Sequence, residues 1–130
     1  AVLSMKFRYF TKWVERRREI AKRYTNGLSG ISELRLPSFP DKRYFDVYMN
    51  YVIRSGKRDQ LVSHLEENSI EVLTSLDHSV HHYEALGFSN LNLPETDKAS
   101  KELICLPIYP ELKNEQVDYV ISCIRDFYRK

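Results

Sequence analysis

The sequence predicts a two-layer α+β domain: a short, mostly antiparallel sheet covered by helices, with a long N-terminal helix extending from it. Three observations carry this. Helical periodicity runs through the first and last segments of the chain. A Tyr-, Val- and Ile-rich run occupies 44–54. Pro107 and Pro110, three apart, deny two amide donors and force an extended stop between a helix-forming stretch and the last helix. At 130 residues the chain is the size of one domain with one core.

The first element is a helix over 1–26, in which Leu3, Phe10, Trp13, Val14, Ile20, Ala21 and Tyr24 recur at spacings near three and four. Asn26-Gly27 supplies its stop, since both residues tolerate the left-handed conformation that closes a helix. A helix about twice the globular mean of ~11 residues reaches beyond a small core or joins two bodies. The chain begins without an initiator Met and starts mid-helix, which points to a cut piece. The boundaries that follow are 1–26 for the linking helix and 27–130 for the α+β body.

Ile31 to Pro37 alternates briefly and is closed by proline, as an edge strand would be. The run 44–54, ended by Ser55-Gly56, is the central strand. Arg58-Asp59-Gln60 opens a helix over 58–67, and 70–73 makes a second clear strand. Pro94 opens a helix over 95–103. After the proline stretch Asn114 caps a helix over 114–128, which buries Val117, Val120, Ile121, Ile124 and Tyr128 and turns Gln116, Asp118, Ser122, Arg125 and Asp126 outward.

Residues 74–88 lack clean periodicity and hold His78, His81 and His82 with Asp77 and Tyr83 between them. Neither a helical pair of histidines with an acid between them nor a set of four ligands is present, so the sequence predicts a loop of polar side chains and no metal site. Cys105 and Cys123 lie in apolar runs without paired spacing and read as buried thiols in a reducing, cytoplasmic compartment. No apolar run approaches the ~20 residues that span a bilayer.

A net charge of +2 implies neither a nucleic-acid nor a membrane partner. Its distribution is uneven: eight Lys and Arg residues between Lys6 and Arg23 face only Glu15 and Glu19. These charges go round the helix without forming a stripe, and no helix-turn-helix follows, which favours a solvated or interdomain face over nucleic-acid binding. A stand-alone interaction or regulatory module is the alternative. The sequence holds no G-x-S-x-G, phosphate-cradling glycine loop or H-E-x-x-H, so its residues identify no active centre by themselves.

Resemblance adds to this. The stretches Trp13 to Tyr24 and Asp46 to Arg54, Arg58-Asp59 before a helix, Leu106-Pro107-Ile108-Tyr109-Pro110-Glu111-Leu112 and Glu115-Gln116 follow one another as in the C-terminal part of the DegT/StrS family of sugar aminotransferases, which the whole chain resembles. The resemblance implies the small domain of a fold-type I enzyme that uses pyridoxal phosphate to move an amino group onto a keto sugar carried by a nucleotide. It places the Schiff-base lysine and cofactor cradle in a large domain upstream, so no catalytic residue and no bound cofactor are expected in this chain. It makes the loop 74–83 the candidate for nucleotide-sugar contact, through Asp77, His78, His81 and His82, although Ser75-Leu76-Asp77 stands where the family commonly carries His-Tyr-Pro. The expected partner is the large domain, which would cover Phe7, Phe10, Trp13 and Val14; without it, self-association through the N-terminal helix follows. Met49, where many members carry a polar residue, is read as strand packing.

Overall fold

In a computed structural model, residues 2–38, 43–74, 79–88 and 91–129 are described. Three antiparallel strands form the sheet in the order β1 (Leu34–Arg35), β2 (Tyr51–Ser55), β3 (Leu103–Leu106). Leu34 pairs with Ser55 on one side of β2, and Tyr51 pairs with Leu106 and Ile53 with Ile104 on the other. Tyr51, Ile53 and Ser55 are buried while Val52 and Arg54 between them are half-buried, the alternation expected of a sheet covered mainly on one face. Helices α2 (Phe10–Leu28), α3 (Arg58–Glu67) and α5 (Asn114–Arg129) make the second layer, with α5 packed against both of the others. A shorter helix, α4 (Pro94–Glu102), leads directly into β3. Tyr24, Tyr51, Ile20, Leu28, Ile53, Leu61, Leu65, Ile104 and Ile124 lie wholly inside. The α+β class with an antiparallel sheet, the 58–67 helix and the inner face of the last helix are as the sequence predicts.

The long first helix is in fact two. Helix α1 (Val2–Phe7) ends in a turn at Arg8 and Tyr9, whose amides bond three residues back to the Met5 and Lys6 carbonyls. Helix α2 then runs through Asn26-Gly27 to Leu28, and Ser29 donates its amide to the Thr25 carbonyl. Gly27 is therefore not a stop. A Cβ at that position would stand 2.6 Å from Ile121 Cδ1 and 2.8 Å from Cγ2, so the glycine is the point at which α2 and α5 come together.

The central strand is half its predicted length. Residues 44–50 are irregular because α2 claims their backbone: Arg18 donates to the Asp46 carbonyl at 2.6 Å, and Arg17 reaches those of Tyr48 and Met49 at 3.4 Å. Asp46 accepts the Tyr48 amide at 2.7 Å, and Tyr48 sits at a φ of 48° that no strand permits. Side-chain satisfaction has displaced the ladder to which β propensity pointed. Met49 is accordingly exposed and is not packed in a strand. The second predicted strand, 70–73, contributes only a bridge between Leu73 and Cys105, and the third position in the sheet is taken by β3, just before Pro107.

Asn114 does not cap α5. Gln116 reaches back through Oε1 to the Lys113 amide at 3.0 Å, one arm of a capping box, while Asn114 Oδ1 accepts from Arg16 at 2.9 Å. The same Arg16 nitrogen donates to the Leu112 carbonyl at 2.6 Å, so α2 holds the end of the proline stretch. Arg23 grips Asp118 with two bonds of 2.6 Å, and Arg54 ties β2 to Glu102 of α4 at 2.8 and 3.0 Å. Four arginines of the basic run thus bind parts of their own chain. Both cysteines are free and buried, and burial pushes the Cys105 thiol up. Among the described residues, no helix is long and apolar enough to cross a membrane.

Candidate functional site

Two features stand apart from the packed core. The first is an open groove of about 650 Å3 between the Met49-Asn50 corner, the bridge at Leu73, the stretch after β3 and the outer side of α5. Its walls are mostly apolar, from Met49, Leu73, Ile108, Tyr109 and Val120, with Gln116 and Glu115 at the α5 end. Pro107 ends β3, Pro110 sits in a turn closed by the Leu112 amide on the Tyr109 carbonyl at 3.1 Å, and Tyr24 fixes the stretch by donating its hydroxyl to the Pro107 carbonyl at 2.9 Å. The groove is a shaped apolar wall with polar groups at one end, suited to holding a flat or aliphatic body in place.

The second feature is in the histidine loop. Two short 3-10 turns, Val80–His82 and Glu84–Leu86, replace the loop expected there, and Gly87 closes the second at a φ of 70°. The first turn brings both histidines to one carboxylate: His81 Nε2 is 3.1 Å and His82 Nε2 is 3.0 Å from Asp97 Oδ1 on α4. The imidazoles meet edge to face with centroids 4.3 Å apart. His81 is buried, at 6% exposure, whereas the His82 side chain is half open to solvent. The arrangement can accept or hold a proton, donate to an anionic ligand from the His82 side, or ligate a cation.

Of the four residues predicted for ligand contact, His81 and His82 are therefore together, and Asp77 and His78 lie outside the described residues. Sequence reasoning missed Asp97, which falls there only within the helix predicted over 95–103. No local spacing relates it to His81, sixteen positions earlier; only the return of α4 toward the sheet joins them.

Comparison with known proteins gives this arrangement its context. Residues 1–125 match the DegT/DnrJ/EryC1/StrS aminotransferase family. The chain is 40% identical, over 99% of its length, to a protein of Geobacillus stearothermophilus named a pleiotropic regulatory protein. It is 30% identical, over 98%, to the dTDP-3-amino-3,4,6-trideoxy-alpha-D-glucose transaminase of Streptomyces venezuelae. The crystal structure of S. venezuelae DesV, in complex with a ketimine intermediate, superposes on 99% of the chain with a TM-score of 0.88 at 28% identity. In each case the match takes in about a third of the other protein, 36%, 34% and 35% respectively. The chain belongs to the DegT/DnrJ/EryC1/StrS aminotransferase family.

Proposed function

We propose that this chain is the C-terminal small domain of a cytoplasmic, pyridoxal-phosphate-dependent aminotransferase acting on a nucleotide-linked keto sugar. The observation that carries the proposal is the family match across residues 1–125, on a chain a third as long as the relatives it matches. In this reading residues 1–26 link to a large domain and 27–130 form the body that closes over its cleft. The S. venezuelae relative's name supports the nucleotide-sugar class. Asp77, His78, His81 and His82 are proposed to meet that substrate, with the half-open His82 as the forward donor.

The described residues do not by themselves fit pyridoxal phosphate. A Schiff-base lysine needs a desolvated pocket to lose its proton near neutral pH, and every described lysine is exposed. We therefore propose that the cofactor's lysine, ring partner and phosphate ligands come from a large domain, and that this chain contributes substrate contacts and packing.

The test is to produce the chain alone and again together with whatever coding sequence lies upstream. The longer protein should show Schiff-base absorbance with pyridoxal phosphate and transfer an amino group to a nucleotide keto sugar, and the chain alone should do neither. Absence of both signals from the longer protein defeats the proposal. The relative named as a pleiotropic regulatory protein supports a second reading, a regulatory module, for which transamination by the longer protein would be the refutation.

The N-terminal surface provides a separate check on the large-domain proposal. Phe7 and Phe10 stack at 5.7 Å and are 71% and 51% exposed, with Leu3 and Met5 bare beside them, although Val14 is buried within the chain. Uncovered apolar area is unfavourable in water by about 25 cal/mol per Å2. The chain alone is expected to self-associate through α1 and the start of α2, and Phe7→Ser with Phe10→Ser should return it to a monomer in sedimentation. A wild-type chain that stays monomeric at high concentration contradicts this.

A further inference from the structure

We propose that His81, His82 and Asp97 form a binding site for a divalent first-row transition metal, of the zinc or cobalt class. The three donor atoms, two imidazole Nε2 and one carboxylate oxygen, all lie within 4.8 Å of one another. The two separations from the carboxylate match those of ligands around an ion. Neighbouring donors on a coordination sphere stand about 3.0 Å apart for six-coordinate bonds near 2.1 Å, or about 3.3 Å for tetrahedral bonds near 2.0 Å. The observed separations from Asp97 Oδ1 are 3.1 and 3.0 Å.

A second observation is independent of spacing. Among the described residues, the buried side-chain nitrogen and oxygen atoms left without a hydrogen-bond partner are Ser79 Oγ, His81 Nε2 and Asp97 Oδ1, all in this corner. The approach of His81 to Asp97 is close but lacks hydrogen-bond alignment, so two atoms of high ligating power face each other with their lone-pair and proton capacity unused. Buried polar atoms are nearly always satisfied, and a group of orphans in one place marks a missing ion or water. Two imidazoles and one carboxylate are the donor set of borderline metals and not of calcium or magnesium, which take oxygen. His81, being buried, closes the inner side. The half-open His82 side leaves coordination positions toward solvent for water or an anionic ligand, so the metal site is compatible with substrate contact at the same loop.

The site also has a mechanical consequence. It would join the Val80–His82 turn to α4, which leads straight into β3, and thereby fix the loop to the sheet. A ligand bound only by the folded state raises the melting temperature with its concentration.

The experiment titrates cobalt(II) and then zinc into the metal-free chain. Expected are visible cobalt absorption saturating at one equivalent, its loss when zinc displaces the cobalt, and a melting temperature that rises with zinc. Asp97→Asn and His82→Ala, both at partly exposed positions that tolerate substitution, should each weaken zinc at least tenfold. His81→Ala should do the same, with circular dichroism to establish that it folds. Failure to see one-equivalent binding overturns the site, as does zinc affinity unchanged in Asp97→Asn and His82→Ala. A third overturning outcome is a chain in which these groups give only a pH-dependent ion pair, indifferent to zinc. None of these readouts depends on aminotransferase activity, so the two proposals fail separately.

Discussion

Replacing Tyr24 by alanine is expected to lower the folding stability by about 3–5 kcal/mol, the range for deleting a fully buried aromatic ring. The ring is wholly enclosed, packs against Tyr51 with centroids 5.1 Å apart, and reaches from α2 to the proline stretch. Its hydroxyl donates to the Pro107 carbonyl, so Tyr24→Phe keeps the volume and removes one bond. That variant should lose about 1–2 kcal/mol, because the carbonyl is left short of a donor in a partly buried place. Urea denaturation of the two variants separates packing from hydrogen bonding. A cost below ~1 kcal/mol for alanine would mean that α2 and the sheet do not share this core.

The same residue governs the second expected effect, a loss of stability in alkali. Burial pushes the Tyr24 phenol up, well above the ordinary range, with smaller contributions from Tyr109 and Tyr51. Burial also raises Tyr51, against the opposing bond to Thr25. Both groups stay protonated in the folded chain at a pH where the unfolded chain has released its protons. Their contribution is therefore complete below the ordinary phenol value of about 10 and is lost as pH rises above it. Above pH ~10 the Tyr24 phenol, raised far by burial, contributes a slope approaching about 1.4 kcal/mol per pH unit, and Tyr51 adds to it in the same direction. Unfolding free energies from denaturant titrations should hold steady up to about pH 10 and fall above it, and Tyr24→Phe should flatten that fall by up to about 1.4 kcal/mol per unit. An unchanged slope in Tyr24→Phe would show that this phenol is not what titrates.

Elements whose stability is local were readable from the residues. The 58–67 helix and the inner face of α5 have a periodicity that tertiary contacts reinforce, and the prolines at 107 and 110 act through their own rings. What could not be read were the places where a distant side chain decides. The β propensity of Tyr44, Phe45 and Val47 is real, yet Arg17 and Arg18 from α2 take the backbone on which a ladder would depend. Asn26-Gly27 has the composition of a helix stop, and only the approach of Ile121 reveals why the glycine is there. In the site, the histidines were visible as a cluster, but Asp97, to which both of them reach, is supplied by packing alone. The basic run read as a solvated or interdomain face, and which backbone its arginines hold could not be read from it: Arg16, Arg17, Arg18 and Arg23 all bond to distant parts of this chain.

The sheet's two borders bear on how the chain behaves when crowded. An open strand edge invites another molecule to add a strand, the route by which small β-containing domains aggregate. Here β1 is two residues long and Pro37 follows two positions later, which leaves little ladder to copy. On the other border, Leu73 and Cys105 exchange both amide bonds, at 2.9 and 3.2 Å, and Pro107 ends the strand two residues on. The segment expected to be a full strand thus serves as a stopper: one bridge occupies the middle of β3's free edge, so the backbone there is already taken before a second chain arrives.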